Sequence, residues 1–341
     1  MNSTFFSGMV VVDHLVSTII PVYNRPAQLR EAVTSVLSQC YRPIEVLIVD
    51  DGSTDGATLR VAEEIAAENP GVVRVFAETN GGPGVARERG CQMAQGEFIQ
   101  YLDSDDLLLP GKFSAQVKAL REQPTADVAY GITFFRDSSG CLNPEPHKDT
   151  GKQIATMFPR ILNSRWWETA TPLYRAEVCE RAGAWTTLRL EEDWEHDCRV
   201  ASLGGRLAWC PVPVSEHRDH GGVRLSRGTA LDAVRLRQRA EAQQQIFGHA
   251  KAYGLTPDSP EMKMFSRSLF LLARQCGAAR LPVQSRHLFD LARQAAGIKR
   301  ARGVDFWLYA LLATAVGWSA TGAMSGWLDN RRRRNATTPK H

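Results

Sequence analysis

The sequence predicts an α/β fold with a mainly parallel sheet in the first part of the chain and a helical region after it. Short apolar segments, expected as strands, alternate with segments of helical periodicity, as in sheets covered by helices. The apolar segments are residues 17–23, 46–49, 72–76 and 98–102. Polar residues directly follow three of them, and strand signals end near Arg227. Because ligands of such sheets bind beyond the carboxyl ends of the strands, these polar residues predict one common site.

Local patterns predict the first helices and turns. The first strand ends at Tyr23, and the apolar residues after it have the spacing of an amphipathic helix. They are Leu29, Ala32, Val33, Val36 and Leu37. Asp55 is expected to cap a second helix, and a third helix over residues 85–95 is expected to end at Gly96. Residues 138–150 are rich in Gly, Pro, Asn and Asp, which predicts an exposed loop.

Composition and charge favour a folded globular chain. Of 341 residues, 43% are hydrophobic and 23% are charged, so disorder is not expected and one large domain with a smaller one is predicted. The net charge of +4 does not favour a nucleic-acid-binding protein, since four positive charges lie together at residues 331–334.

The cysteines and the amino-terminal residues bear on the compartment. Seven cysteines occur without a CxxC pair, which predicts reduced thiols in a cytosolic protein and argues against a structural zinc site. The apolar stretch at residues 5–12 is short and no basic residue precedes it, so no secretory signal is predicted.

Two acidic motifs follow predicted strands. In Asp103-Ser104-Asp105, two carboxylates two residues apart can hold a divalent cation whose other ligands are diphosphate oxygens. The alternative is a solvated acidic turn or a helix N-cap. Asp50 and Asp51 end the second strand, where a carboxylate can accept hydrogen bonds from a nucleobase or a ribose. The alternative there is an Asx-turn.

Two further polar motifs lie downstream. Residues 191–194 read Glu-Glu-Asp-Trp, and a carboxylate beside an indole is partly desolvated, which raises its pKa and suits a general base. The alternative is the acidic start of a helix. In the motif that ends at His220, Arg218 can pair with phosphate and a histidine can bind metal. For His217 an ordinary surface loop is the favoured interpretation.

The order of these motifs resembles glycosyltransferase family 2, the inverting enzymes with the GT-A fold. The resemblance covers about residues 17–225, and its blocks are STIIPVYNRP, IEVLIVDDGSTDGA, TNGGPGVARERG, GEFIQYLDSDDLLLPGK, EEDW and HRDH. It implies a nucleotide-diphospho-sugar transferase in which Mg²⁺ or Mn²⁺ stabilises the diphosphate leaving group. One base then deprotonates the acceptor hydroxyl, which gives inversion at the anomeric carbon.

The resemblance also implies a role for each matching residue. The nucleotide-sugar site would contain Pro21, Tyr23, Asp50, Asp51, Arg87, Asp103, Ser104 and Arg218. The metal ligands would be Asp103 and Asp105 of the DxD motif together with His220, and the catalytic base would be Asp193. Trp194, beside that base, would contact the acceptor. Two residues depart from the family pattern, since Glu88 replaces a common asparagine and His217 a frequent tyrosine.

The predicted domain organisation places the catalytic domain before a series of helices. The boundaries are an amino-terminal tail at 1–16, the catalytic domain at 17–226, a helical region at 227–303, an apolar segment at 304–330 and a basic tail at 331–341. Residues 306–328 carry no charge, and basic clusters flank them on both sides. These flanks favour in-plane or hairpin-like association with an anionic membrane surface over a single span. The alternative is a buried helix pair that packs on the catalytic domain or across a homodimer, using Gly322 and Gly326.

The function predicted from these observations is sugar transfer from a nucleotide donor, with UDP as the default nucleotide. The acceptor would be a saccharide or a lipid-linked glycan of the cell surface, reached from the cytoplasm at the inner face of the membrane. A catalytically silent nucleotide-sugar-binding module is one alternative, but Asp103, Asp105 and Asp193 are all retained. A nucleotidyltransferase is the other, although PVYNRP stands where that class has a glycine-rich basic loop.

Overall fold

The computed structural model describes residues 11–220, 229 and 231–337, with side chains described as far as residue 328. It divides into two compact units. The first contains the chain up to residue 222 except residues 162–164, and the second contains those three residues and the chain from residue 223. Most of the predicted amino-terminal tail and the side chains of the predicted basic tail lie outside the described residues.

The first unit alternates strands and helices through its first half, as predicted. In chain order its strands and helices are β1 (Val12–Val22), α1 (Pro26–Leu37), β2 (Ile44–Asp50), α2 (Thr58–Glu68), β3 (Val73–Ala77), α3 (Pro83–Met93), β4 (Gly96–Tyr101), β5 (Leu107–Leu108), α4 (Lys112–Glu122), β6 (Val128–Arg136), β7 (Leu142–Asn143), β8 (Leu173–Arg175), α5 (Ala176–Ala182), α6 (Glu192–Ser202) and β9 (Leu207–Arg218).

One sheet runs through this unit in the order β3-β2-β1-β4-β8-β6-β9-β5, with β7 paired to β6. The pairs β1–β2, β1–β4, β2–β3 and β6–β9 are parallel, whereas β8 pairs antiparallel with both β4 and β6. The predicted α/β class with a mainly parallel sheet is therefore confirmed. Since β1, β2 and β4 are parallel neighbours, their carboxyl ends lie at one edge of the sheet.

The predicted burial patterns explain why these elements form. All seven residues of β2 are buried, as expected for a parallel strand covered on both faces. Helix α1 buries Leu29, Ala32, Val33 and Val36, the stripe that the sequence predicted. Asp55 accepts hydrogen bonds from the backbone N–H groups of Ala57 at 3.0 Å and Thr58 at 2.9 Å. The N-cap position of α2 is Ala57, so Asp55 holds the turn before the helix and is not the predicted cap itself.

Two local predictions are corrected. Helix α3 ends at Met93, and Gly96 begins β4 instead of closing the helix. A Cβ atom at Gly96 would lie 2.6 Å from the carbonyl oxygen of Leu15, so the close approach of β1 requires this glycine. The loop predicted over 138–150 is exposed at its start, but Thr150 is buried and its hydroxyl accepts the backbone N–H of Thr133.

The second unit is helical, as predicted for the chain after Arg227. Its helices are α7 (Ala233–Ala252), α8 (Pro260–Ala278), α9 (Pro282–Ala301), α10 (Val304–Val316) and α11 (Trp318–Thr337). The long apolar segment is therefore two helices, separated at Gly317, whose φ is 88°. In the part of the chain that the structure describes, no helix has the length and apolarity needed to cross a membrane.

The two glycines predicted to support close helix packing behave differently. A Cβ atom at Gly322 would lie 2.5 Å from the backbone nitrogen of Ala278, because α11 packs tightly on the end of α8 at Gly277. Among the residues that the structure describes, a Cβ atom at Gly326 would have no neighbour within 4 Å. Close packing between α8 and α11 thus explains Gly322, and the described residues show no such packing at Gly326.

Candidate active site

The nucleotide end of the candidate site lies where β1 and β2 end. Pro21 is buried and pairs in register with Val49, whereas the ring of Tyr23 is 43% exposed and available to stack on a flat ligand. Asn24, the polar residue that follows the first predicted strand, accepts the backbone N–H of Thr54 at 2.8 Å and ties the two strand ends together. Its φ of 53° is left-handed, a conformation that asparagine tolerates well.

Asp50 and Asp51 have different surroundings. One oxygen of Asp50 accepts the backbone N–H of Ser53 at 3.1 Å, as in an Asx-turn, while its Oδ1 is buried without a hydrogen-bond partner among the described residues. Asp51 accepts backbone N–H groups from Gly81 at 2.7 Å and from Gly82 at 3.0 Å. Burial raises the pKa of Asp51, and these two hydrogen bonds oppose that rise. Asp51 therefore holds the loop that begins α3, and Asp50 keeps one unused acceptor.

The DxD motif follows β4, and its carboxylates contact arginine and histidine side chains. Asp103 Oδ1 lies 2.6 Å from Arg87 Nη2. Asp105 Oδ2 lies 2.7 Å from His220 Nε2 and 2.9 Å from Arg25 Nη1. The structure thus brings Asp105 and His220 together, as the predicted metal site requires. Arg25 was not predicted, because no local pattern connects it with this loop.

Arg87 is buried and joins the DxD motif to helix α6. Its Nη1 donates to Glu192 Oε1 at 2.8 Å while its Nη2 donates to Asp103, and its guanidinium lies 4.9 Å from the ring centre of Trp185. Burial alone would lower the pKa of Arg87, but the charges of Asp103 and Glu192 outweigh it and raise the pKa. The residue predicted to lie near the nucleotide is thus a charged bridge between two acidic groups.

Glu192 is a site residue that sequence reasoning missed. Burial raises the pKa of this carboxyl to about 7, with a smaller contribution from the charge of Asp193, and Arg87 opposes the rise. Helix α6 begins at Glu192, and Glu191 before it has a φ of 60°. The run of three acids in the sequence did not indicate which one pairs with a distant arginine.

The predicted base, Asp193, lies in the first turn of α6 with its side chain 28% exposed. Its Oδ2 lies 2.6 Å from Arg165 Nη1, and its Oδ1 accepts the backbone N–H of Trp194 at 2.7 Å. The indole N–H of Trp194 donates to the carbonyl of Ile161 instead. Asp193 is therefore paired with an arginine and with the backbone at the start of α6.

Of the tryptophans at positions 166, 167, 185 and 194, the first three belong to the core. Trp166, Trp167 and Trp185 are 2%, 0% and 6% exposed. Trp194 alone among them is half-buried, and it adjoins Asp193. An aromatic face for an acceptor is thus limited, within this group, to the residue that the sequence analysis selected.

The HRDH motif, residues 217–220, begins at the end of β9 and contacts the DxD loop. Arg218 donates its backbone N–H to Asp106 at 3.0 Å and its Nε to the carbonyl of Asp105 at 2.6 Å. His217 Nδ1 lies 3.0 Å from Asp106, whose pKa burial raises to about 6 against the opposing charge of His217. The interpretation of His217 as an ordinary surface residue is wrong, because it holds the buried carboxylate next to the DxD motif.

Glu88, the other residue that departs from the family pattern, also has a structural partner. Glu88 Oε2 accepts the backbone N–H of Trp185 at 3.0 Å, and burial raises the pKa of this carboxyl. Glu88 therefore fastens α3 to the segment that precedes α6, a role that an asparagine oxygen can also fill.

The residues around the DxD motif fit a divalent cation held jointly with a substrate. In the described residues, no group of three or more His, Cys, Asp or Glu side chains is arranged to hold a metal ion. Mg²⁺ and similar cations bound with nucleotides need only one or two protein carboxylates, because phosphate oxygens and water supply the remaining ligands. Asp103 and Asp105 supply that number, and Ser104 between them is buried, which restricts the loop.

Comparisons with known proteins identify a family for part of the chain. Residues 17–174 match the model of the family described as glycosyl transferase family 2. An uncharacterized glycosyltransferase of Haemophilus influenzae is 40% identical over 126 residues, 37% of this chain and 50% of that protein. Glycosyltransferase GlyG of Streptococcus pneumoniae is 32% identical over 128 residues, 38% of this chain and 42% of that protein. This chain thus spans half the length or less of these curated relatives.

Solved structures share the fold. S. aureus TarS 1–349 in complex with UDP-GlcNAc has a TM-score of 0.66 at 20% identity, covering 92% of both chains. The mannosyltransferase PcManGT of Pyrobaculum calidifontis, in complex with GDP-Man and Mn²⁺, has a TM-score of 0.53 at 22% identity, covering 95% of this chain and 88% of that one. The GT-A-like fold is confirmed, and the predicted resemblance to glycosyltransferase family 2 is confirmed for residues 17–174.

Proposed function

We propose, from the family 2 match of residues 17–174, that the first unit transfers a sugar from a nucleotide-diphosphate donor to an acceptor hydroxyl with inversion. The observation that carries this proposal is the bridge from Asp103 through Arg87 to Glu192 at the start of α6. Single-displacement transfer needs a stabilised diphosphate on one side of the sugar and a base on the other. The bridge supports this arrangement, because one guanidinium joins the DxD motif to the helix that carries Asp193.

In this proposal the donor nucleotide binds across the ends of β1 and β2. The exposed ring of Tyr23 stacks on the base, above buried Pro21. The unpartnered Oδ1 of Asp50 accepts an N–H or O–H group of the nucleoside, which would satisfy a buried oxygen that now has no partner among the described residues. Asp51 holds the neighbouring loop in place. UDP is the proposed nucleotide.

The diphosphate lies next to the DxD loop in this proposal. Asp103 and Asp105 would hold Mg²⁺ or Mn²⁺ together with diphosphate oxygens. His220, which contacts Asp105, would be a further ligand in the donor-bound state, and Arg218 would contribute positive charge on the same side. When bound, the cation stabilises the negative charge that develops on the leaving nucleoside diphosphate. Arg25 lies 2.9 Å from Asp105 and adds a further positive charge at that end of the site.

Asp193 is the proposed base. As the acceptor oxygen attacks the anomeric carbon, its proton passes to the Asp193 carboxylate and the bond from that carbon to the diphosphate oxygen breaks. Arg165 and the backbone N–H of Trp194 each hold one oxygen of this carboxylate and so orient it. The half-buried indole of Trp194 contacts the acceptor.

The proposed acceptor is a saccharide or a lipid-linked glycan of the cell surface, modified at the cytoplasmic face of a membrane. The apolar helix α10 and the uncharged first part of α11, with basic residues before α10 and in the last part of α11, support peripheral contact with such a membrane. Residues 331–334 carry four of the arginines concerned. A homodimer joined through the same helices is the competing role for them.

Incubation with a panel of nucleotide sugars and Mn²⁺ tests the reaction. Release of nucleoside diphosphate with transfer to added saccharide is the expected result. Release of pyrophosphate would identify a nucleotidyltransferase, and donor binding without any release would identify a silent binding module.

A further inference from the structure

The second unit contains a groove of about 410 Å³ along α9, α10 and the start of α11. Arg286, Asp290 and Arg293 of α9 form its rim, and all three are exposed. Aromatic and small side chains line its floor and far side, among them Phe289 and Trp318. A groove of this size falls within the usual range for small-molecule sites, which is about 300–1,000 Å³.

The rim is basic. Positions 286, 290 and 293 follow one another at helical spacing, so the three side chains lie along one face of α9. Among the side chains described, no ion pair joins Asp290 to Arg286 or Arg293, and the rim has one excess positive charge. A single anionic group placed between the two arginines would be attracted by both of them.

The groove continues into an exposed apolar surface on α10. At about 100° per residue, Ala310 in the groove is followed around this helix by Trp307 and then by Leu311 and Leu308. These three large side chains are 61%, 51% and 46% exposed. An apolar patch of this kind beside a basic rim is typical of a surface that binds a partner or a membrane.

We propose that this groove binds an anionic lipid, with the phosphate headgroup between Arg286 and Arg293 and the hydrocarbon chain over Phe289 and Trp318. The adjoining Trp307 face of α10 then lies in the apolar part of the lipid layer. Charge favours this occupant over a second copy of the chain, because two basic rims would repel each other. The inference rests on the proposed function insofar as a membrane-bound acceptor gives the site its purpose.

Flotation of the full-length protein with vesicles tests the headgroup contact. Vesicles of phosphatidylcholine are compared with vesicles that also contain phosphatidylglycerol, at low and high salt. Arg286→Gln and Arg293→Gln should each weaken binding to the anionic vesicles about fivefold, and the double variant about 25-fold. Arg267→Gln removes an exposed arginine of α8 outside the groove and is the matched control. A double variant that binds like this control overturns the proposal.

A second pair of variants tests the chain contact without changing charge. Ala310→Trp fills the groove and should reduce binding to anionic vesicles by at least about tenfold, since the new side chain occupies the space of the hydrocarbon chain. Ala315→Trp adds the same bulk to an exposed position of α10 outside the groove and should not weaken binding. Equal binding by the two variants contradicts a lipid in the groove. Matched thermal unfolding of both variants is required, so that loss of fold is not mistaken for loss of the site.

Two further measurements separate the remaining explanations. Inorganic phosphate, added at constant ionic strength, should leave most protein on the vesicles, whereas complete release would show that the groove binds phosphate alone. Sedimentation that shows a dimer dispersed by the double variant would instead identify a self-association surface and overturn the proposal. Nucleoside diphosphate release by each variant is followed in parallel. Its absence in the native protein would count against the proposed reaction and leave the lipid result unaffected.

Discussion

Arg87 Nη2 lies 2.6 Å from Asp103 Oδ1, and Nη1 of the same guanidinium lies 2.8 Å from Glu192 Oε1. The side chains of Arg87 and Glu192 are 3% and 9% exposed, so water screens that ion pair very little, whereas Asp103 is 33% exposed. One residue of α3 therefore fixes the distance between the DxD motif and the first turn of α6. Catalysis that depends on both the DxD motif and the first turn of α6 should therefore be sensitive to substitution of Arg87.

The first prediction concerns this bridge. Arg87→Met should destabilise the fold by about 3–5 kcal/mol, because it leaves the buried carboxylate of Glu192 without its partner. Arg89→Met is the matched control on the same helix, since Arg89 pairs with Glu78 at the surface and its loss should cost less than about 1 kcal/mol. Urea unfolding measures both values. Equal destabilisation by the two variants would contradict the bridge.

The second prediction concerns the DxD motif. Asp105→Asn should reduce metal-dependent release of nucleoside diphosphate by about 100–1,000-fold, because the cation at the diphosphate loses a charged ligand. Asp137→Asn, in an exposed turn, should leave the rate unchanged. Rates are measured over a range of Mn²⁺ concentrations. Full activity of Asp105→Asn with unchanged metal dependence would remove the motif from the mechanism.

The third prediction separates the base from the donor site. Asp193→Asn should lower transfer by about 100–10,000-fold while donor affinity stays nearly constant, because the proton comes from the acceptor. The asparagine oxygen can still accept the backbone N–H of Trp194, so the start of α6 should be preserved. Calorimetry with donor and Mn²⁺ measures the affinity. A loss of affinity in step with the rate would assign Asp193 to the nucleotide site.

The fourth prediction follows from the raised pKa of Glu192, which is about 7 in the folded protein against 4.5 ordinarily. Between these values the folded state binds more protons than the unfolded state, so this group's contribution to stability is present at low pH and is lost as pH rises through about 7. Titration of Glu192 should therefore lower the unfolding free energy of the native protein by up to about 3 kcal/mol between pH 5 and pH 7.5. Glu192→Gln should remove this part of the decline.

Glu177→Gln, on the exposed face of α5, is the control for this effect and should leave the pH dependence of stability as in the native protein. Urea unfolding at several pH values compares the three proteins. A native protein and a Glu192→Gln variant with parallel profiles would show that Glu192 does not titrate in this range.

The sequence by itself determined the elements and the places where the strands end. Apolar runs and helical periodicity are local properties, so they predicted β2 and the buried stripe of α1. Parallel strands end at one edge of a sheet, and for this reason the order of strands and polar residues along the chain was enough to predict that Asp50, Asp103 and their neighbours lie at the same edge.

Only the tertiary structure decided which side chains form pairs. Arg87 and Glu192 are 105 residues apart in the sequence, and His217 and Asp106 are 111 residues apart, so no local spacing predicts either contact. The same holds for the tryptophans, because an aromatic residue in the core and one that contacts a ligand look identical in a sequence. Long-range packing sets the burial of each charge, and burial decides which acid keeps its proton and which arginine becomes its partner.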